Sequence, residues 1–268
     1  MIGKYTIDSQ LMSDLHNIWN NRDTTVVWAT DGGLKDKVGT SSYALFFPNN
    51  PTAILYGGAA EYQPHSHASS TRQELLGQLG AKYWMRRLQK KWGRPRHKPR
   101  VILVTDSQAS IDIMENLQNV MGLKHVLKPD MDIALELHHI RTAHNWILWN
   151  VQKVESHIEE EEAPDSFLWG CNTFLDGLAT QARTEIYIDT LQQRESHILP
   201  GTRAGYLING QIENNELYEL LKDKVLGEQL KQYLLEHYSW TETVFGHIEW
   251  NVHQKEFLKT PRERRTTY

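Results

Sequence analysis

The sequence predicts an α/β protein, a mixed sheet of five strands (three antiparallel and two parallel) with helices on both faces, followed by a mostly helical C-terminal appendage. Three observations predict it. Three short apolar segments follow one another, joined by the turn-forming stretches "DGG" and "PNNP", in the pattern of an antiparallel meander. The run Val101 to Val104 is apolar without alternation, as a parallel strand buried on both faces is. Helical spacings separate the later strands, giving the order β-β-β-α-β-α-α-β-α, which requires a mixed sheet with crossover helices.

Each element has its own signal. Asp8 to Asn20 carries Leu11, Leu15, Ile18 and Trp19 at helical spacing. The meander strands are Thr25 to Thr30, Ser42 to Phe47 and Ala53 to Gly57. Ser69 or Ser70 opens a long helix to about Lys91, with Leu75, Leu76, Leu79, Tyr83, Trp84 and Leu88 on one face. After the strand Val101 to Val104, Ser107 is placed to cap a helix. A further helix starts at Asp130, read as its capping acid, with Ile133, Leu137 and Ile140 as its apolar face. The strand Trp146 to Val151 and a helix from about Phe167 complete the body. Beyond Ala182 the pattern changes to a strand pair around Asn209-Gly210, a helix from Asn215 to about Tyr238 and a short helical end. The resulting division is a helical segment at 1–23, a body at 24–190 and an appendage at 191–268.

Composition sets outer bounds. A chain of 268 residues with 40% hydrophobic content can bury a full core. The single cysteine, Cys171, excludes an internal disulfide and a Cys-rich zinc module, and is expected to be a small packing residue. No window reaches the length of a membrane span and no leader pattern opens the chain, so a soluble protein of cytoplasm or nucleus, with no membrane partner, is expected. The net charge of −4 hides an asymmetry. Arg86 to Arg100 holds eight of the 29 Lys/Arg and none of the 33 Asp/Glu, leaving the remainder of the chain at −12. Arg86, Arg87, Lys90, Lys91, Arg94, Arg96 and Lys98 are therefore candidate phosphate contacts, against the plainer reading of a solvated helix end.

Two strands end on an acid, Asp31 and Asp106, and the carboxyl ends of strands form the functional crevice of open α/β sheets. Like charges at neighbouring strand ends repel and raise each other's pKa unless a cation lies between them. The run Glu159 to Glu162 is solvated loop rather than a metal site, and His65 and His67 lack further zinc ligands at suitable spacing.

Four stretches, "TDGG", "STRQELLG", "VTDSQAS" and "CNTFLDGLA", together resemble the successive acidic motifs of the ribonuclease H family, over roughly Thr24 to Ala182. The resemblance implies that Asp31, Glu74, Asp106 and Asp176 are its metal-binding carboxylates. It also matches His157, in "VESH", to the family's loop histidine and Asn172 to its helix asparagine, here a candidate nucleic-acid contact. The pair Asp130 and Asp132 and the trailing Trp240, Ile248 and Trp250 narrow the likeness to the ribonuclease H region of retroelement polyproteins, with a reverse transcriptase domain as an implied neighbour. Gly33 stands where the family usually has serine.

What the resemblance implies is a metal-dependent endonuclease that cuts the RNA strand of an RNA–DNA hybrid with two ions of Mg²⁺ or Mn²⁺. The residue types suit that chemistry: hard carboxylate oxygens hold hard ions, and a pair of ions about 4 Å apart activates water and neutralises the attacking and leaving oxygens. Asp31 would bridge the ions, Glu74 and Asp106 would hold one, Asp176 the other, and His157 would serve proton transfer or product release. A catalytically inactive nucleic-acid-binding or assembly module of the same fold is the alternative, and a transposase or resolvase a third reading.

Overall fold

The computed structural model describes residues 4–36, 38–62, 69–116, 130–155, 159, 161, 163–188, 206–208, 211–213, 227, 229–239 and 241–247. The chain forms two compact units, Met1–Leu217 and Tyr218–Tyr268. The first contains a six-stranded sheet built from β1 (Lys4–Ile7), β2 (Thr25–Lys35), β3 (Val38–Phe46), β4 (Ala53–Tyr62), β5 (Arg100–Thr105) and β6 (Leu148–Lys153), in the order β1-β4-β3-β2-β5-β6. Strands β1 to β4 pair antiparallel, whereas β5 runs parallel to both β2 and β6.

The helices are α1 (Ser9–Ile18), α2 (Ser70–Trp92), α3 (Gln108–Asn116), α4 (Met131–Ala143) and α5 (Ser166–Ile188). A strand pair, β7 (Tyr206–Ile208) with β8 (Gln211–Glu213), flanks Asn209-Gly210 as the turn chemistry predicts.

The sixth strand was not expected from the sequence. With only four residues, "KYTI" is too short to display a period-2 pattern, and its apolar residues give no burial signal, Tyr5 and Ile7 remaining 45% and 40% exposed. Strand β1 is held by its register against Leu55–Gly58 and leads into Asp8, whose side chain accepts a hydrogen bond from the Leu11 amide (2.9 Å) and caps α1.

The connector expected at "DGG" lies inside β2, which pairs with β3 until Lys35 meets Val38. Asp36, with φ of 52°, makes the left-handed turn instead. On its other edge β2 is paired with β5 only from Thr25 to Ala29. Asp31 therefore lies mid-strand in the hairpin, just beyond the end of the parallel pair.

Alternation on β2 and β3 divides the core between the two faces. Val26, Trp28, Tyr43 and Leu45 pack with Trp84, Met85 and Leu88 of α2, while Val27, Ala29, Ala44 and Phe46 pack with Cys171 and Leu175 of α5. Cys171 is thus a buried packing residue, its thiol pushed up to about 12 by burial. Helix α2 approaches the hairpin closely because Gly77 has no side chain. A Cβ there would come within 2.8 Å of the Ser42 carbonyl oxygen. The helix starts at Ser69, whose hydroxyl accepts from the Arg72 amide (2.9 Å), and stops at Gly93, with φ of 84°.

Asp130 corrects a sequence expectation. It adopts a left-handed conformation (φ 61°) and its side chain does not cap α4. Its Oδ2 accepts instead from the Ser69 hydroxyl (2.9 Å), and Arg72 donates two bonds to Asp132 (2.9 and 3.0 Å). The two acids of α4 thereby anchor the first turn of a different helix, α2.

In the second unit, residues 229–237 are helical, and Thr241 caps the short helix Glu242–Gly246. Lys231 pairs with Glu242 at 2.8 Å. Of the expected Asn215–Tyr238 helix, Gly227 is also helical and Tyr238 lies just past the helical run, whereas residues 215–226 and 228 lie outside the described residues. Among the described residues, no helix is long and apolar enough to cross a membrane.

Candidate metal centre

Three local arrangements bring three acids to one point. Asp31 follows Val27 and Ala29 by strand alternation and so faces α5. Asp106 stands one residue past the end of β5, beside the part of β2 that β5 leaves unpaired. Glu74 lies in the second turn of α2 and reaches the sheet at Gly32. A Cβ at Gly32 would overlap the backbone of Gln73 and Glu74, so the acid can reach the cluster only because residue 32 has no side chain.

One carboxylate oxygen from each of Asp31, Glu74 and Asp106 lies within 4.8 Å of the others, the one such grouping of possible metal ligands among the described residues. Asp31 and Glu74 are buried, at 7% and 5% exposure, and Asp106 is half-buried. Burial pushes Glu74 up to about 9, and the charges of Asp31 and Asp106 add to the effect. Hydrogen bonds from the Gly32 backbone and the Thr105 hydroxyl (3.3 Å) only partly offset this. Asp31 is raised to about 6, first by burial, then by Asp176 and Asp106. In this arrangement the three carboxylates carry more negative charge than the fold neutralises, and a cation of hard character resolves the conflict.

Asp176 acts on Asp31 from α5 but is exposed. Asn172, one turn earlier, is 5% exposed, and its Oδ1 is buried with no hydrogen-bond partner among the described residues. His157, Trp240, Ile248 and Trp250 lie outside the described residues.

The seven basic candidates do not converge on the carboxylates. They occupy the last turns of α2 and the segment into β5, and Lys90 is sixteen residues from Glu74 on the same helix. At 1.5 Å per residue that separation is about 24 Å. Arg87 lies over the rings of Trp84 and Tyr5, at 4.9 and 5.7 Å from their centroids.

Sequence reasoning missed Arg183. It is seven residues after Asp176 on α5, hence on nearly the same face, and its charge acts on Asp31. The two-turn spacing from Asp176 is the signal that would have found it.

No family model matches the chain, and no curated protein matches it. Among solved structures, it is similar to the N-terminal RNase H domain of Rv2228c from Mycobacterium tuberculosis, at 14% identity over 62% of this chain and 99% of that one, with a TM-score of 0.41. It is also similar to RNase H1 from Halobacterium salinarum, at 15% identity over 60% of this chain and 99% of that one (TM-score 0.39). A third likeness is to the prototype foamy virus protease-reverse transcriptase, at 14% identity over 59% of this chain and 20% of that one (TM-score 0.38).

Proposed function

We propose that this chain is a metal-dependent nuclease of the ribonuclease H type that hydrolyses the RNA strand of RNA–DNA hybrids and derives from a retroelement polyprotein with a reverse transcriptase. The observation that carries the reading is the convergence of Asp31, Glu74 and Asp106, from three separate elements, within 4.8 Å. The motif order in the sequence, with Asp176 acting on the same point from α5, supports it.

The donor set fits Mg²⁺ or Mn²⁺. All the groups are carboxylate oxygens, two of them buried at a cost that a divalent ion offsets. Asp31, Glu74, Asp106 and Asp176 would hold two such ions, which when bound supply an activated water and neutralise the reacting oxygens. The protein does the rest. Gly32 fixes Glu74 against the sheet, Thr105 orients its carboxylate, and the Ser69–Asp130 and Arg72–Asp132 contacts hold the helix start in place. Asn172 is assigned to nucleic-acid contact and His157 to proton transfer or product release. Hybrid would be chosen over duplex DNA through the 2′-hydroxyls and groove shape of the RNA strand.

Incubating the protein with labelled hybrid, duplex DNA and duplex RNA in Mg²⁺ tests the proposal directly. Cleavage of hybrid alone is expected, abolished in Asp31→Asn and in Asp106→Asn while circular dichroism stays unchanged. Cleavage retained by either variant would overturn the assignment. Binding of hybrid without cleavage by the natural protein would favour the inactive binding module.

A further inference from the structure

Gly33 and Arg183 face each other across the hairpin and α5. Strand alternation puts residue 33 on the same side as Asp31, the side covered by α5. A Cβ built at Gly33 would be 3.6 Å from Nη2 of Arg183 and 3.5 Å from the Thr40 hydroxyl, ordinary contact distances. A methyl group would therefore fit in ordinary contact, and its absence leaves half-buried backbone bordered by a guanidinium and a hydroxyl, two residues from Asp31. The Arg183 Nε is buried with no hydrogen-bond partner among the described residues.

One role for such a cation is countercharge to the acids, but the Arg183 guanidinium borders Gly33, on the α5 side of the strand, where it can also meet the other charged partner of the reaction. A phosphodiester approaching four carboxylates is repelled by them, and a planar guanidinium binds two non-bridging oxygens at once. Glycine lets a phosphate come close to the backbone.

We propose that Arg183 is a substrate-positioning residue that binds a backbone phosphate of the cleaved strand over Gly33, next to the carboxylates. The inference rests on the reading that nucleic acid is the substrate of this site. It adds a near phosphate contact to the remote basic surface about 24 Å away along α2.

Hybrid binding in Ca²⁺ at several salt concentrations, steady-state cleavage in Mg²⁺ and metal-free melting, each for the natural protein, Arg183→Gln and Arg183→Lys, test it. Arg183→Gln should weaken hybrid binding roughly tenfold and lower the slope of log affinity against log salt by about 0.7 to 0.9, the amount due to one neutralised phosphate. KM should rise more than kcat falls. Arg183→Lys should recover the slope but not the full affinity, because an ammonium lacks the planar fork. An unchanged slope and KM in Arg183→Gln, with a lowered metal-free melting temperature, would overturn the proposal in favour of an internal countercharge. A natural protein that cleaves hybrid while the variants match it would overturn this inference alone. Failure of the natural protein to bind hybrid would overturn both this inference and the nuclease reading.

Discussion

The two ends of α2 are built to opposite rules. At its start, Ser69, Arg72 and Glu74 are half-buried or buried, bonded to α4 and pressed onto Gly32. At its finish, Arg86, Arg87 and Lys91 are exposed and the chain leaves through a glycine. The helix dipole favours an acid at the first end and cations at the second, by at most about 1 kcal/mol at surface positions. At the second end nothing opposes that preference. At the first, burial does: a pKa raised from 4.5 to about 9 at Glu74, at about 1.4 kcal/mol per unit, is several times the dipole contribution. The difference teaches that a helix end carries strained charge when tertiary packing forces it, and such an end is the one to associate with chemistry.

Gly32 is the position at which this contrast is most easily abolished. Gly32→Ala should cost about 3 kcal/mol or more, because its methyl would overlap the backbone of α2 rather than a movable side chain. Gly33→Ser, one residue on, meets only ordinary contacts and should change stability by less than about 0.5 kcal/mol. Urea denaturation of both variants checks this, and equal losses would show that α2 is free to move off the hairpin.

Titration separates the buried end from the exposed one in a second way. The folded pKa values of Glu74, about 9, and Asp31, about 6, are raised above their ordinary values of 4.5 and 3.8. The fold therefore favours their protonated forms, and the stability this brings is complete below about pH 4 and is lost as pH rises through 6 and then 9. For Asp31 alone the loss is about 3 kcal/mol. In EDTA the melting temperature should fall across that range; Mg²⁺ should flatten the fall at its alkaline end, and Glu74→Gln should remove the upper part. A metal-free melting temperature independent of pH between 4 and 9 would contradict the buried-carboxylate account.

The smallest effect belongs to the basic end. Replacing Lys90 and Lys91 by alanine should leave stability within about 0.5 kcal/mol, since both lie in the last turn of α2 away from the site. If they contact phosphates, the salt slope of hybrid binding should drop by about 0.7 to 0.9 for each phosphate no longer neutralised. A flat response would mean that the substrate does not extend to this end of the helix.

Patterns repeating within ten or twenty residues were enough, in the sequence alone, to place α1, α2, the run of β5 and the hairpin at Asn209-Gly210, because caps, turns and apolar periodicity are local interactions. The acids stood out for the same reason, each within a short motif at the end of an apolar run. What required the tertiary structure was everything set by a distant partner. Strand β1 exists only by its pairing with β4; β2 continues through "DGG" because β3 and α2 hold it there; and Asp130 serves Ser69, 61 residues away in the chain. The charge of the basic window was plain in the sequence, but its distance from the carboxylates follows from the rise of α2. The two-turn spacing of Arg183 from Asp176 is present in the sequence, but its place opposite Gly33 follows only from strand alternation and helix phase. A short motif identifies residues by type, whereas the free energy that gives them a role comes from neighbours remote in the chain, which composition and spacing do not encode.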